Sequence, residues 1–287
     1  MFRKVSLVAA MAMGIGMNAF SEDKELFQAG TDPMKEFNVY PASVKSELVK
    51  EDGRDMLKFI GPCTVAGKTA IPVDPTKTYI LKGKFKSIGK VPSIIFFGLL
   101  PCDTEKKQIA VEAVNPCPDT NTELAAACSA KDSSLKVKDA GKWMKRKGLD
   151  IYGYVAFNID DSGALKDLPN RALSPVVKEV RKVGDQWELI LAAPYNGKDM
   201  AAGTKVRLHH PGNSYIYCAA NYKTVPTEWT SFEGKITGMG AKASDIEFWS
   251  GTAFVKLLIL GNFSQNAESA ILVDGLSFVE AGGNAVK

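Results

Sequence analysis

Short apolar runs with a two-residue period recur along almost the whole chain, cut by Gly, Pro, Asn and Asp. Alternation puts successive side chains on opposite faces of a strand, so each run can bury one face against a second sheet. Such runs cover 56–60, 78–87, 93–100, 151–158, 187–192, 205–209, 215–219, 230–237, 253–260 and 270–279. Turn residues at Pro169-Asn170, Gly184-Asp185, Asn196-Gly197 and Pro211-Gly212-Asn213 punctuate the later ones. Few segments show the 3.6-residue recurrence of a long amphipathic helix. A short helix is expected only over 122–130, where Leu124 and Ala125 to Ala127 favour it. The pattern predicts an all-β sandwich interrupted by one long irregular insertion at about 101–148, since a structureless loop of that length is uncommon. With no internal repeat or Gly/Ser linker, residues 22–287 read as a single β-sandwich domain.

The first residues read differently. Arg3 and Lys4 precede an apolar run from Val5 to Phe20, and small residues stand at Ala19 and Ser21. This is the layout of a cleavable signal peptide over 1–21, with the cut expected before Glu22. Gly14, Gly16 and Asn18 interrupt the run, whereas about 20 consecutive apolar residues are needed to span a bilayer. The expectation is therefore a secreted or periplasmic protein that does not span the membrane. Basic and acidic residues nearly balance, 36 against 32, and removing Arg3 and Lys4 narrows the difference. Without a block of one sign, the balance gives no reason to expect nucleic acid. Lys142, Lys145, Arg146 and Lys147 form only a short basic cluster, broken by Trp143 and Met144.

Five cysteines in an exported chain suggest disulfide chemistry, with an odd thiol left over. Cys102, Cys117 and Cys128 share one polar, proline-bearing segment and are the expected partners for at least one bridge. Cys218 lies in a strand-like run and is expected as a buried thiol. Their spacing does not suit a metal, and His209 and His210, the only histidines, point to opposite faces if they share a strand. No nucleophile elbow, zinc-protease helix, phosphate loop or dinucleotide fingerprint occurs.

The run from Gly203 to Cys218 reads as a hairpin turning at Pro211-Gly212-Asn213. Parity groups Val206 and Leu208, then Ile216 and Cys218, on the core side, and sends Arg207, His209, Tyr215 and Tyr217 to the opposite face. Gathered there, they could bind a sugar by stacking and hydrogen bonding. They could also neutralise a uronate carboxylate and move a proton, as a polysaccharide lyase requires. An ordinary covered strand face is the third reading. Trp143 joins the expected ligand-binding set because it lies in the irregular basic segment; Trp187 alternates with Leu189 and Leu191 and is expected in the core.

Two stretches carry a family resemblance. Ile71 to Ser87 resembles the early strands of the jelly-roll carbohydrate-binding modules attached to bacterial xylanases and glucanases, and Ala270 to Phe278 is similar to their closing strand, preceded by Ala253 to Leu260. The resemblance implies a jelly roll, with first and last strands side by side, and a polysaccharide or cell-surface glycan as partner. It also implies a structural calcium near Asp274, with companions among Glu47, Glu51 and Asp52. Asp274-Gly275 shifts the apolar phase of the last strand from Ile271 and Val273 to Leu276 and Phe278, as a bulge would. The resulting expectation is an exported, non-catalytic carbohydrate-binding or cell-surface interaction protein. Its alternatives are a lyase using Arg207, His209 and a Tyr, and a structural envelope component without a small ligand.

Overall fold

The computed structural model describes residues 23–29, 33–51 and 53–282; the expected signal peptide and its cut before Glu22 lie outside them. Two antiparallel sheets face each other. The first runs β16 (Thr230–Thr237), β7 (Thr78–Ser87), β20 (Ala270–Glu280), β4 (Arg54–Ile60) and β3 (Lys45–Glu51), with β1 (Lys24–Gln28) also paired to β20. The second runs β15 (Ile216–Thr224), β8 (Ile94–Cys102), β19 (Phe254–Gly261), β5 (Cys63–Gly67) and β2 (Phe37–Tyr40), with β6 (Ile71–Pro72) beside β19. Seven of these strands, β4, β7, β8, β15, β16, β19 and β20, fall on alternating runs of the sequence, and inward residues of both sheets make the main core. Leu81 and Phe85, Ile95 and Phe97, Leu257 and Ile259, and Val273 and Phe278 are all buried in it. Each such side chain contributes roughly 1.5–3 kcal/mol when fully buried. Phe85 and Phe97 meet across the sheets edge to face at 5.1 Å, and Tyr79 stacks on Phe278 at 5.3 Å.

The expected bulge is present. The pairing of β20 with β7 shifts register between Asp274 and Ser277, and Gly275 has φ +58°, which glycine adopts without a Cβ penalty. Before the bulge the other edge of β20 pairs with β4, from Ala270–Ile60 to Val273–Leu57; after it, the same edge pairs with β1. Met239–Gly240 (β17) and Phe248–Trp249 (β18) form a short parallel pair after β16.

Between β8 and β15 the chain builds a second β unit, larger and more regular than the expected insertion over 101–148. One small sheet orders β10 (Ser134–Val137), β13 (Gln186–Leu191) and β12 (Val177–Val183); the other orders β11 (Tyr154–Phe157), β14 (Lys205–His209) and β9 (Thr122–Glu123). They enclose a second core of Leu124, Val137, Trp143, Val155, Phe157, Leu189, Val206 and Leu208, among others. The helix expected over 122–130 is not formed. Thr122 and Glu123 pair with β14, Leu124 is fully buried and bridges to Val137, and the Ala125 N–H donates to Lys136 O. Burial of one leucine has overridden the helical preference of the alanines around it.

The disulfide expectation is also corrected, since all five cysteines are free thiols. Cys102 ends β8 and pairs with Phe254, whereas the Cys117 N–H donates to Leu208 O and the Cys128 N–H to Met200 O. Each is fixed by its own backbone partner. Cys218, expected as a buried thiol, is partly buried and packs against the main core, and desolvation pushes its thiol up to about 12.

Candidate functional site

The expected hairpin does not exist, because β14 pairs with β11 and β9 in the inserted unit while β15 pairs with β8 in the sandwich. Arg207 and His209 therefore lie in a different sheet from Tyr217, Tyr215 just precedes β15, and the lyase constellation is not assembled. Nor do they face solvent: Arg207 is 2% and His209 0% exposed. Val206 and Leu208 fill the second core on one face of β14, and a buried polar network covers the other. Arg207 donates to Asp167 Oδ2 at 2.8 Å and, through Nε, to His209 Nε2 at 3.2 Å. His209 Nδ1 sits 2.6 Å from Glu112 O, so Nδ1 carries the proton and Nε2 accepts. Burial first, then the Arg207 charge, holds the imidazole down to about 4. It is a neutral structural histidine at pH 7.

Trp143, expected at a ligand surface, is 6% exposed in the second core, and its Nε1 donates to Thr120 O at 3.0 Å. Asp274 is engaged too. Its Oδ2 accepts from Arg54 at 2.8 Å, while Glu47 is paired with Lys58 and Glu51 with Lys86. No group of three or more His, Cys, Asp or Glu that could hold a metal ion occurs among the described residues.

The two tyrosines fare differently, for they belong to an aromatic cluster on the outer face of the second sheet. Ile95 and Phe97 point into the core, so Phe96 between them points out. Around the Phe96 ring stand Tyr217 at 4.6 Å, Phe263 at 4.7 Å and Tyr222 at 5.8 Å between centroids, and Tyr215 meets Tyr217 at 6.1 Å. Tyr222 is 60% and Phe263 40% exposed. Tyr217 is largely covered, contrary to the expectation of an open face, and burial raises its hydroxyl to about 12. At neutral pH it is protonated and can donate a hydrogen bond.

Irregular backbone puts these rings together. Ile216 pairs with Leu99 and Ala220 with Phe97, so Tyr217, Cys218 and Ala219 stand opposite Gly98 alone. Lys223 pairs with Ile95, leaving Asn221 and Tyr222 opposite Phe96. Such bulges re-aim side chains. A Cβ on Gly98 would lie 1.9 Å from Ile216 O, so only glycine lets the bulged strand come this close. Asp245 clamps the bulge from outside, accepting from the Tyr217 N–H at 3.0 Å and from Asn221 Nδ2 at 2.9 Å.

Tyr222 and Asn262 both occupy the left-handed region, at φ +52° and +53°, a conformation uncommon in non-glycine residues and concentrated at functional sites. Asn262 is fully buried. It accepts from the Ser93 hydroxyl and donates to Gly61 O at 2.7 Å and Phe59 O at 3.3 Å. The next residue, Phe263, donates its N–H to Ile94 O at 2.7 Å, so its exposed ring stands on a fixed support. Phe96, Tyr222, Phe263 and their supports Asp245 and Asn262 were not singled out by the sequence reading. The available signal was Gly261-Asn262-Phe263 directly after an apolar strand, because Asn tolerates positive φ and the aromatic behind it must then project from a turn.

No protein-family model matches the sequence, and the search of curated proteins finds no match. Solved structures do align with it. The CBM22-1 xylan-binding domain of Paenibacillus barcinonensis Xyn10C matches with a TM-score of 0.40 and 8% identity, covering 92% of this chain and 99% of that one. The tandem CBM22-1-CBM22-2 domain of the same protein gives 0.40 and 9%, covering 94% of this chain and 49% of that one. A Clostridium thermocellum xylanase 10B fragment complexed with xylohexaose gives 0.38 and 8%, covering 93% and 30%. The likeness is one of fold.

Proposed function

We propose that this is an exported, non-catalytic glycan-binding protein that takes a polysaccharide or cell-surface glycan on the aromatic face formed by β8, β15 and the turn after β19. One observation carries the reading: two largely exposed rings, Tyr222 and Phe263, stand on left-handed or bulged backbone beside Phe96 and Tyr217. Aromatic rings present an apolar face that packs on the C–H face of a pyranose, and the phenolic hydroxyl adds a directed hydrogen bond. Strain of this kind persists only where the surrounding structure over-determines it, and here Asn262 and Asp245 supply the supports. The export half rests on the amino-terminal sequence pattern.

Isothermal titration with neutral oligosaccharides chosen from a glycan array tests the binding half. Tyr222→Ala and Phe263→Ala should each weaken binding by about fivefold or more, corresponding to about 1 kcal/mol per lost stacking contact, with the melting midpoint little changed. Unaltered affinity in both variants would remove this face as the binding surface.

A further inference from the structure

A separate cleft lies where the inserted unit meets the sandwich. It has two lobes, of about 500 and 770 Å³, which share Pro116, Cys117, Pro118 and Lys242 in their walls. Each volume lies within the roughly 300–1,000 Å³ of small-molecule sites. Lys142 and Arg146 from the inserted unit and Lys242 from the sandwich line the first lobe, and no ion pair engages any of the three among the described residues. The carboxylate in its wall is Asp245, and both its oxygens are taken by Tyr217 and Asn221. The charge this lobe leaves open is therefore positive.

The second lobe is mixed. Asp119 and Glu247 offer carboxylate acceptors, while Asp160 already accepts from the backbone N–H groups of Ser162 and Lys166. Arg207 also lines this lobe, and one of its groups is unused. Its Nη1 is buried with no hydrogen-bond partner, although Nε and Nη2 are both engaged by His209 and Asp167. A buried guanidinium nitrogen without an acceptor costs about 1–3 kcal/mol, which an oxygen from water or from a bound ligand relieves.

We propose that this cleft binds an acidic saccharide, one or two hexuronate units. A uronate carboxylate would lie against Lys142, Arg146 and Lys242, a ring or hydroxyl oxygen would accept from Arg207 Nη1, and the remaining hydroxyls would donate to Asp119 and Glu247. The anionic part stands on the cleft alone. The saccharide part rests on the glycan-binding reading, but uses a different surface from the aromatic face.

The test is titration of the protein with trigalacturonate, with citrate and with a neutral trisaccharide, at low and moderate salt. Trigalacturonate should bind, more weakly as salt rises, and Lys242→Ala or Arg146→Ala should weaken it at least fivefold while Lys242→Arg restores it. Arg207→Lys, which keeps the charge beside Asp167 but removes the unused nitrogen, should weaken it at least tenfold; Lys242→Ala gives the answer if that variant fails to fold. Tyr222→Ala should leave trigalacturonate binding unchanged. Absence of trigalacturonate binding, or its loss in Tyr222→Ala and not in Lys242→Ala, would overturn the cleft as the site. Citrate binding as tightly with the same Lys242 dependence would overturn the saccharide assignment. Neutral-sugar binding lost only in Tyr222→Ala bears on the aromatic face alone, so the two proposals fail separately.

Discussion

The sandwich and the unit inserted between β8 and β15 each enclose an apolar core, and they close it by different means. The sandwich packs phenylalanines and branched aliphatics from two six-stranded sheets, and its buried polar set is small and neutral, centred on Ser93 and Asn262. The inserted unit has two three-stranded sheets and a smaller core, and the strand that carries Val206 and Leu208 into it also carries a buried arginine and a buried histidine. Less apolar surface can be removed from water in a unit of that size. Part of its closure falls to polar ties back to the segment leaving β8: His209 to Glu112 O, the Asn170 N–H to Ala113 O, and Arg171 to Asp103 at 2.6 Å. One core is closed by neutral groups, whereas the other is flanked by a buried ion pair.

Four measurements sharpen or break that contrast. The largest effect is expected from Asp167→Ala, which leaves the Arg207 guanidinium buried without its counter-charge and should cost about 3–5 kcal/mol. Hydrogen exchange should then show protection lost across 122–209 and kept in β7, β8, β19 and β20. Uniform loss throughout the molecule would mean that the two cores unfold as one.

The next effect is a pH dependence. Unfolded chain protonates His209 as pH falls through its ordinary 6.5, whereas the folded protein does so only near 4. Stability is thus complete above pH 6.5 and falls progressively towards pH 4, on the order of 3 kcal/mol for a shift of this size. Asp160, held down to about 2 by the Ser162 hydroxyl and nearby backbone amides, loses its contribution only below 3.8. Denaturant titrations at pH 7, 5 and 4 should show the slope, and His209→Gln should flatten it.

In the sandwich, Asn262→Ala orphans the Phe59 and Gly61 carbonyls and the Ser93 hydroxyl. A loss of about 1–3 kcal/mol is expected, together with weaker glycan binding as Phe263 loses its support. Stability lost without any change in binding would separate Asn262 from the aromatic face. The smallest effect belongs to Tyr222→Gly, which relieves a left-handed φ and should leave stability unchanged or raise it by up to about 1 kcal/mol while weakening binding. A clear destabilisation would show that the ring is there for packing.

The longer strands of the sandwich were the legible part of the chain, because alternation names the face they bury, whereas β1, β2, β3, β5 and β6, short or without a buried face, did not stand out. The runs at 78–87, 230–237 and 270–279 correspond to β7, β16 and β20, and the phase change at Asp274-Gly275 marks the bulge. The inserted unit was harder to read for a physical reason. In β14, Val206, Arg207, Leu208 and His209 are all buried, so parity separates two faces without telling which is wet. β12, with the sequence Val177-Lys178-Glu179-Val180-Arg181-Lys182-Val183, carries too little apolar surface to stand out. The candidate site was half visible: Tyr215 and Tyr217 were singled out, but the partners that complete their cluster arrive through bulges and positive φ, which depend on neighbouring strands.

The handover along β20 has a kinetic consequence. This strand, central in its sheet, is the last of the described strands to be synthesised, and it must find β7 roughly two hundred positions back, β4 farther still, and β1 at the opposite end of the chain. Closing such long loops slows folding. Until β20 emerges, β7 and β4 have no common neighbour and the first sheet cannot form as a unit, whereas every pairing within the inserted unit joins residues already made. All pairings within the inserted unit can thus form before the first sheet is complete, because they join residues made before β20.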